Sequence, residues 1–432
     1  MKKLIRFFTR LCEAYLPDAF VFCLGLTLLV FLLGLFMTPY SPLELADFWG
    51  KEFWSLNAFA MQMLFILISG HMLATTPAMR RLLELISTKI HTEKSALITL
   101  ALFSAAACWI NWGFGLIVSG ILALELGAKL KKVNFGLFVA TAYSGFLVWH
   151  GGLSGSIPLK VSGNDDILQN VYPGLTLPLS ETIFTQINLL LVVLCLILMP
   201  VVALWMRTED KIEVIKVPHL EALSSGNGFR DKVERWMGFN IIFFILFLIY
   251  IIRAFSRGES LDINKVNWIF LFLAILLHGN PKKFMSALQE SFGYASDIAI
   301  QFPFYAGIMG LMQYSGLSDI LSEMLINLAN AHTLPFLTFL SGGVVNFFIP
   351  SGGGQWVVQG PVIMKTAHAL GANPAKVAMA LAWGDAWTNL IQPFFALPLL
   401  AVARLQLKDI MGYCLFFTIF SGIVISAVLL LV

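Results

Sequence analysis

The stretch NFFIPSGGGQWVVQGP, residues 346–361, sets a run of three glycines, a serine, two glutamines and two prolines between two apolar runs of a 432-residue chain that is 58% hydrophobic. Backbone freed from a helix inside hydrocarbon leaves N–H and C=O groups that each cost several kcal/mol unless protein encloses them. A stretch of this kind persists in an apolar chain where it lines a protein-enclosed cavity.

The rest of the chain supports a membrane setting. Mean hydropathy is +0.82, and charged residues make up 12%, about half the share usual in soluble domains. Apolar runs able to cross a hydrocarbon core of about 30 Å occur at 18–37, 54–74, 182–206, 238–252, 292–314 and 410–432. The basic opening MKKLIRFFTR leads into an apolar run too long for a signal core, so the first helix is expected to stay as an anchor. The five cysteines (Cys12, Cys23, Cys108, Cys195, Cys414) lack metal spacing and predict neither a disulfide framework nor a zinc site. No cofactor is expected beyond a coupling ion, H+ or Na+.

Positive residues in short loops stay in the cytoplasm. Lys2, Lys3, Arg6 and Arg10, the loops around Arg80 and Lys131, and the segment 207–235 are therefore placed inside. The apolar stretch 96–127 then has cytoplasmic loops on both flanks, and its 32 residues are fewer than the roughly 40 that two crossings need. A re-entrant hairpin with its tip at WINWGFG, 109–115, fits that constraint.

The tip has a counterpart in the opening stretch. Gly113 and Gly352, Gly115 and Gly354, Asn134 and Asn373, and Gly145 and Gly384 are each 239 positions apart, so the chain repeats itself. Residues 1–206 form the first repeat with its N-terminal helix, 207–237 a cytoplasmic linker, and 238–432 the second repeat. Counting crossings puts the amphipathic segment 317–330 outside and its partner 78–90 inside, which inverts the second repeat. The predicted fold is an all-α polytopic membrane protein with two inverted-topology repeats, each carrying a re-entrant helical hairpin and a broken transmembrane helix. The breaks are WHGGLSGSIP, 149–158, and WGDAWTNLIQP, 383–393.

Paired breaks in corresponding positions point to a transporter's midplane site. The helix resuming after each tip offers unpaired N–H groups and a positive dipole end, which favour a carboxylate. The expected substrate contacts are Asn111, Trp112, Gly113, Gly115, Ser351, Gly352, Gly353, Gly354 and Gln355 at the tips, with Thr388 and Asn389 at the second break. On its own, SGGG reads equally well as a tight turn between helices. Trp109, Trp112, Trp149, Trp356, Trp383 and Trp387 gather at these sites, which suits a small apolar tail, and neither tip carries Lys or Arg, which favours a monocarboxylate.

Ionisable groups within the spans are His71, Glu125, His150, Asp297, Lys365, His368 and Asp385, each costly if charged and unpaired. His150 and Asp385 belong to breaks and are the candidates for proton uptake. Ser154, Ser156 and Gln392, together with Thr388 and Asn389, offer oxygen ligands for Na+. Glu125 and Lys365 lie nearer hairpin ends, where snorkelling or capping explains them.

NFFIPSGGGQWVVQGP and WGDAWTNLIQPFFALPLL, with YLPDAFVF before the first helix, resemble the short-chain fatty acid transporter family, bacterial carriers associated with acetoacetate and butyrate uptake. The resemblance implies a secondary carrier of the inner membrane within the ion-transporter superfamily, with paired hairpins, an inverted repeat, elevator-like movement and often a homodimer. The expected function is ion-coupled symport of short-chain fatty acids. A sodium-coupled dicarboxylate or amino-acid carrier is the alternative on the same scaffold. A membrane acyltransferase using His150 or Asp385 as base has no need of two equivalent broken sites, and a passive channel would show no saturation. No GxxxxGK[ST] motif supports an ATP-driven pump, and nothing in the charge pattern suggests nucleic acid as a partner.

Overall fold

The computed structural model describes residues 19–163, 165–207, 212–213, 228–259, 261–293, 296–346, 349 and 351–431. The basic N-terminal cluster, Cys12, most of the expected linker and the side chain of Asp297 lie outside the described residues. The chain is all-α and polytopic, with six helices long and apolar enough to cross a membrane among the described residues.

In the first half α1 (Ala19–Met37), α2 (Pro42–Glu52), α3 (Asn57–Ala74), α4 (Pro77–Thr88), α5 (Glu93–Ile110), α6 (Trp112–Leu130) and α7 (Phe135–Ser144) follow one another. A 3-10 segment, Gly145–Gly151, then leads to the short α8 (Ser156–Val161) and α9 (Asp166–Val171) and to the long α10 (Gln186–Trp205). In the second half come α11 (Phe229–Glu234), α12 (Met237–Ser256), α13 (Ile263–His278), α14 (Pro281–Phe292), α15 (Ser296–Tyr314), α16 (Leu317–Leu328), α17 (Leu334–Val345), α18 (Gly352–Leu370), α19 (Pro374–Asn389), α20 (Pro393–Ala403) and α21 (Met411–Leu431). A two-residue ladder pairs Lys132 with Glu213 and Val133 with Ile212.

Local chemistry sets many boundaries. Ser41 and Glu44 form a capping box at α2, and hydrogen bonds from the Ser41 backbone N–H and hydroxyl hold the Glu44 carboxyl below its ordinary pKa. Asn134 and Asn373, the paired asparagines of the repeat, do the same job at their helices, accepting from the N–H groups of Leu137 and Lys376. Gly279 and Gly371 end α13 and α18 in the left-handed conformation.

The order α3 to α7 recurs as α15 to α19 in the same register, and so does the packing: α3 and α4 lie on α6 as α15 and α16 lie on α18. The halves also interlock. Helices α1 and α2 pack on α15, while α13 and α14 pack on α3, with Gln62 Oε/Nε amide and backbone held by Asn264 and Asn267. The bodies that form in space are therefore built from both halves of the sequence.

Two boundaries differ from expectation. The first hairpin runs beyond the apolar stretch 96–127, because Glu93, Lys94 and Lys129 are helical. Its arms of 18 and 19 residues each reach about 27 Å at 1.5 Å per residue. The second break is shorter than 383–393: α19 continues to Asn389, so Asp385 and Thr388 lie on helix. Pro393, which cannot continue a helix and restricts the residue before it, accounts for the interruption after Asn389.

Candidate functional site

At the first hairpin one residue makes the turn. Asn111, in extended conformation, ends α5 and caps α6, its Oδ1 accepting the Phe114 N–H at 2.9 Å. The tip is fastened to the first break: the Trp112 N–H donates to Ser154 Oγ at 2.9 Å, Leu153 N–H to Trp109 O at 2.7 Å, and Trp109 Nε1 to Gly151 O at 2.8 Å. Contact is close enough that a Cβ on Gly152 would lie 2.1 Å from Trp109 O.

The second hairpin is fastened to the second break in the same way. Ser351 caps α18, accepting the Gly354 N–H at 3.3 Å. Asn346 Nδ2 donates to Thr388 Oγ1 at 2.9 Å and to Asn389 Oδ1 at 2.8 Å, and Thr388 Oγ1 donates to Gly343 O at 2.8 Å. Gln355 is buried, its Nε2 donating to Gly342 O and Gln359 Oε1.

The 3-10 segment of the first break meets helix α19 at His150 and Asp385, both fully buried. His150 Nδ1 lies 3.1 Å from Asp385 Oδ2 and 2.9 Å from Ala382 O, and Nε2 lies 2.9 Å from Ser156 Oγ. A backbone carbonyl can only accept, so Nδ1 carries hydrogen and Nε2 faces a hydroxyl that can donate or accept. Asn389 Nδ2 supports Asp385 Oδ2 at 3.1 Å. The Trp149 ring stacks on the imidazole with centroids 3.7 Å apart. Gly352, at the second tip, sits so close that a Cβ there would be 2.0 Å from His150 Cε1. His150, Ser156, Asp385, Asn389 and Gly352 thus form one constellation shared by both repeats.

The remaining expected residues divide. Gly113, Gly115, Gly353 and Gly354 spend their missing side chains on packing, against Leu67, Cys108, Phe59 and Tyr305 respectively. Ser154 is held by the first tip and has no bond to His150. Lys365 pairs with Asp319, and His71 meets Ser291 Oγ at 2.9 Å away from the breaks.

Among the described residues, several buried polar atoms around the breaks have no hydrogen-bond partner, and they sort by chemistry. Donors come from the first repeat: Asn111 Nδ2, Trp112 Nε1 and Trp149 Nε1. Acceptors come from the second: Asn346 Oδ1, Gln355 Oε1, Asp385 Oδ1 and Gln392 Oε1. Leaving such groups unpaired in a buried site costs about 1–3 kcal/mol each. Trp112 also makes edge contacts with Trp149 and Phe395, at 5.8 and 5.5 Å between centroids, and Phe146 stacks on Trp149 at 5.4 Å. An apolar wall therefore adjoins the donors.

Some residues beside these groups carry little signal at sequence level. Tyr143 Oη donates to Asn389 O at 2.6 Å. Asn188 links the halves, donating to Gly151 O at 3.0 Å and accepting from Trp383 Nε1 at 2.9 Å. A polar residue near the start of an apolar run was the only hint of Asn188. Trp383 and Asn188 also line a cavity of about 130 Å³ together with Thr185, Asn373, Lys376 and Met379. A Cβ on Gly151 would lie 2.9 Å from Trp383, so the ring that lines the cavity also abuts the first break.

The profile of the family described as short chain fatty acid transporter matches residues 1–432. Two relatives named for short-chain fatty acid transport align over 98% of this chain and 98% of their own length: one from Escherichia coli (strain K12), 37% identical, and one from Haemophilus influenzae, 36% identical. The fold is similar to that of the Alcanivorax borkumensis YdaH transporter, with a TM-score of 0.57 at 15% identity over 95% of this chain and 97% of that one.

Proposed function

This chain belongs to the short-chain fatty acid transporter family, a family of transporters and not of enzymes, and on that premise we propose that it is an ion-coupled symporter of short-chain fatty acids such as butyrate and acetoacetate. The observation that carries the reading is the His150–Asp385 pair sealed where the two broken helices meet, 3.1 Å apart. In this reading the repeats are inverted, the hairpins are re-entrant, and the protein works in the bacterial inner membrane with its N-terminus in the cytoplasm, as a homodimer.

The sorted polar atoms give each ligand a place. A substrate carboxylate takes the donors Asn111 Nδ2, Trp112 Nε1 and Trp149 Nε1, and its short tail lies on Phe146 and Phe395. Charge then dictates the stoichiometry. Counted as a neutral imidazole beside a carboxylic acid, or as an imidazolium beside a carboxylate, the His150–Asp385 pair has no net charge, and a bound monocarboxylate would leave a net negative charge in a water-poor site, at a cost of several kcal/mol. One added proton restores neutrality. A Na+ on the acceptors Asn346, Gln355, Asp385 and Gln392 does the same, and these oxygens favour it as the second reading. Either cation makes the loaded and empty states neutral, and the half-loaded states costly, which is the condition for coupling.

The test is uptake of labelled butyrate into proteoliposomes under separately imposed proton and sodium gradients, with acetoacetate and succinate as competitors. Accumulation driven by one gradient, blocked by acetoacetate and not by succinate, is expected, and it names the ion. Competition by succinate without butyrate accumulation would replace this reading with a dicarboxylate carrier.

Lys376, on the wall of the 130 Å³ cavity, supplies positive charge beside Trp383. In the same assay Lys376→Ala is expected to raise the KM for butyrate about fivefold, the value of about 1 kcal/mol of attraction, with the maximal rate unchanged. An unchanged KM would show that the charge of Lys376 does not draw the substrate toward this cavity.

A further inference from the structure

Away from the breaks, a cavity of about 520 Å³ opens among α3, α4, α13 and α14. Arg80, Arg235, His278, Lys282 and Lys283 line it, against a single acidic lining residue, Glu290. Asp231 is shared by Arg235, at 2.8 Å, and Lys282, at 2.6 Å. Four cationic side chains thus face two carboxylates, with His278 Nε2 bonded to Met72 O at 2.8 Å. The excess of positive charge rests on Arg80 and Lys283. Neither side chain has an ion pair or hydrogen bond among the described residues, and Arg80 Nε is shut off from solvent without a partner.

Two further features suit an anion. Helices α4 and α14, each of 12 residues, start at the cavity: Pro77 and Asn280 are on its wall, and Thr76 and Asn280 cap the two helices. Their positive dipole ends add to the field of the side chains. Both helices are amphipathic and leave apolar residues exposed, Leu82 and Leu85 on α4 and Met285 and Phe292 on α14. Helices of this build lie in the interface plane, their apolar faces at the acyl boundary. The cavity mouth is then at headgroup depth.

We propose that this cavity binds a phosphate-bearing anion, with the phosphate held by Arg80 and Lys283 between the N-termini of α4 and α14. Its position beside two interfacial helices makes an anionic lipid headgroup the expected source. The proposal does not depend on what the protein transports.

The experiment measures thermal unfolding of the delipidated full chain in detergent, titrated in separate arms with phosphatidylglycerol, phosphatidylcholine and inorganic phosphate. Phosphatidylglycerol is expected to raise the midpoint where phosphatidylcholine does not. Lys283→Gln, an exposed substitution that spares the fold, should raise the half-saturating lipid fraction about fivefold, and R80Q with K283Q about 25-fold, following about 1 kcal/mol per basic residue. Arg80→Lys should restore most of the response. A response to inorganic phosphate alone, lost in the same variants, keeps the anion site and assigns it to a soluble ligand. No response in any arm, or a response that survives the double substitution, overturns the proposal.

Discussion

Asp385→Asn is expected to abolish gradient-driven accumulation of substrate while exchange of labelled for unlabelled substrate across the membrane continues. The substitution keeps the shape of the side chain and removes its charge. His150 Nδ1, at 3.1 Å from the carboxylate, loses its ionic partner, and a hydrogen bond to a charged group is worth about 1.5–3 kcal/mol. Accumulation should fall about tenfold to a hundredfold, since the neutral variant no longer ties the charge of the site to that of the substrate. Exchange needs no net ion movement and should stay within about threefold of the parent. His150→Gln, which can still donate toward Ala382 O, should behave alike, and the double variant should be no worse than either single one, as expected of groups that act as a unit. Additive losses, or accumulation in Asp385→Asn that keeps the parent's response to the imposed gradient, would remove the pair from the coupling mechanism.

The second large effect is on folding. In Gly152→Ala the new methyl would lie 2.1 Å from Trp109 O and 2.7 Å from Trp109 Cα. These are backbone atoms that cannot swing aside, so the hairpin tip and the break must separate. Overpacking in a close-packed interior costs about 1–3 kcal/mol, and more where the neighbour is rigid. The variant should lose its monodisperse peak in detergent or unfold several degrees lower. Gly50→Ala is the control, since nothing lies within 4 Å of a Cβ there and alanine favours helix by about 0.5–1 kcal/mol. Equal unfolding midpoints for Gly152→Ala and the parent would show that the seam between tip and break is loose.

The helices and the first hairpin were legible because their signals are local. Apolar length marked the spans, basic flanks on both sides of 96–127 forced the turn, and the 239-residue offset of the glycines found the second tip. His150 and Asp385 stood out because ionisable groups are rare in apolar runs. What escaped depends on contacts between distant segments. Asn188, Tyr143 and Asn346 join elements more than 30 residues apart in sequence, and no spacing rule connects them. At the tips Gly113, Gly115, Gly353 and Gly354 each lie close against a neighbouring helix, a contact that sequence does not reveal, because a residue without a side chain looks the same whatever takes the space. The interlocking of α1 and α2 with α15 was hidden for the same reason.

One consequence of the first hairpin concerns Cys108. The thiol lies on α5, fully buried, where the approach of Gly115 leaves room for neither a methyl nor a reagent. With the other cysteines replaced, a maleimide can reach this sulfur only when the two arms part. Its alkylation rate is then a clock for that opening, read from a cysteine native to the chain, and comparing the rate with and without butyrate reports whether cargo holds the arms together or lets them go.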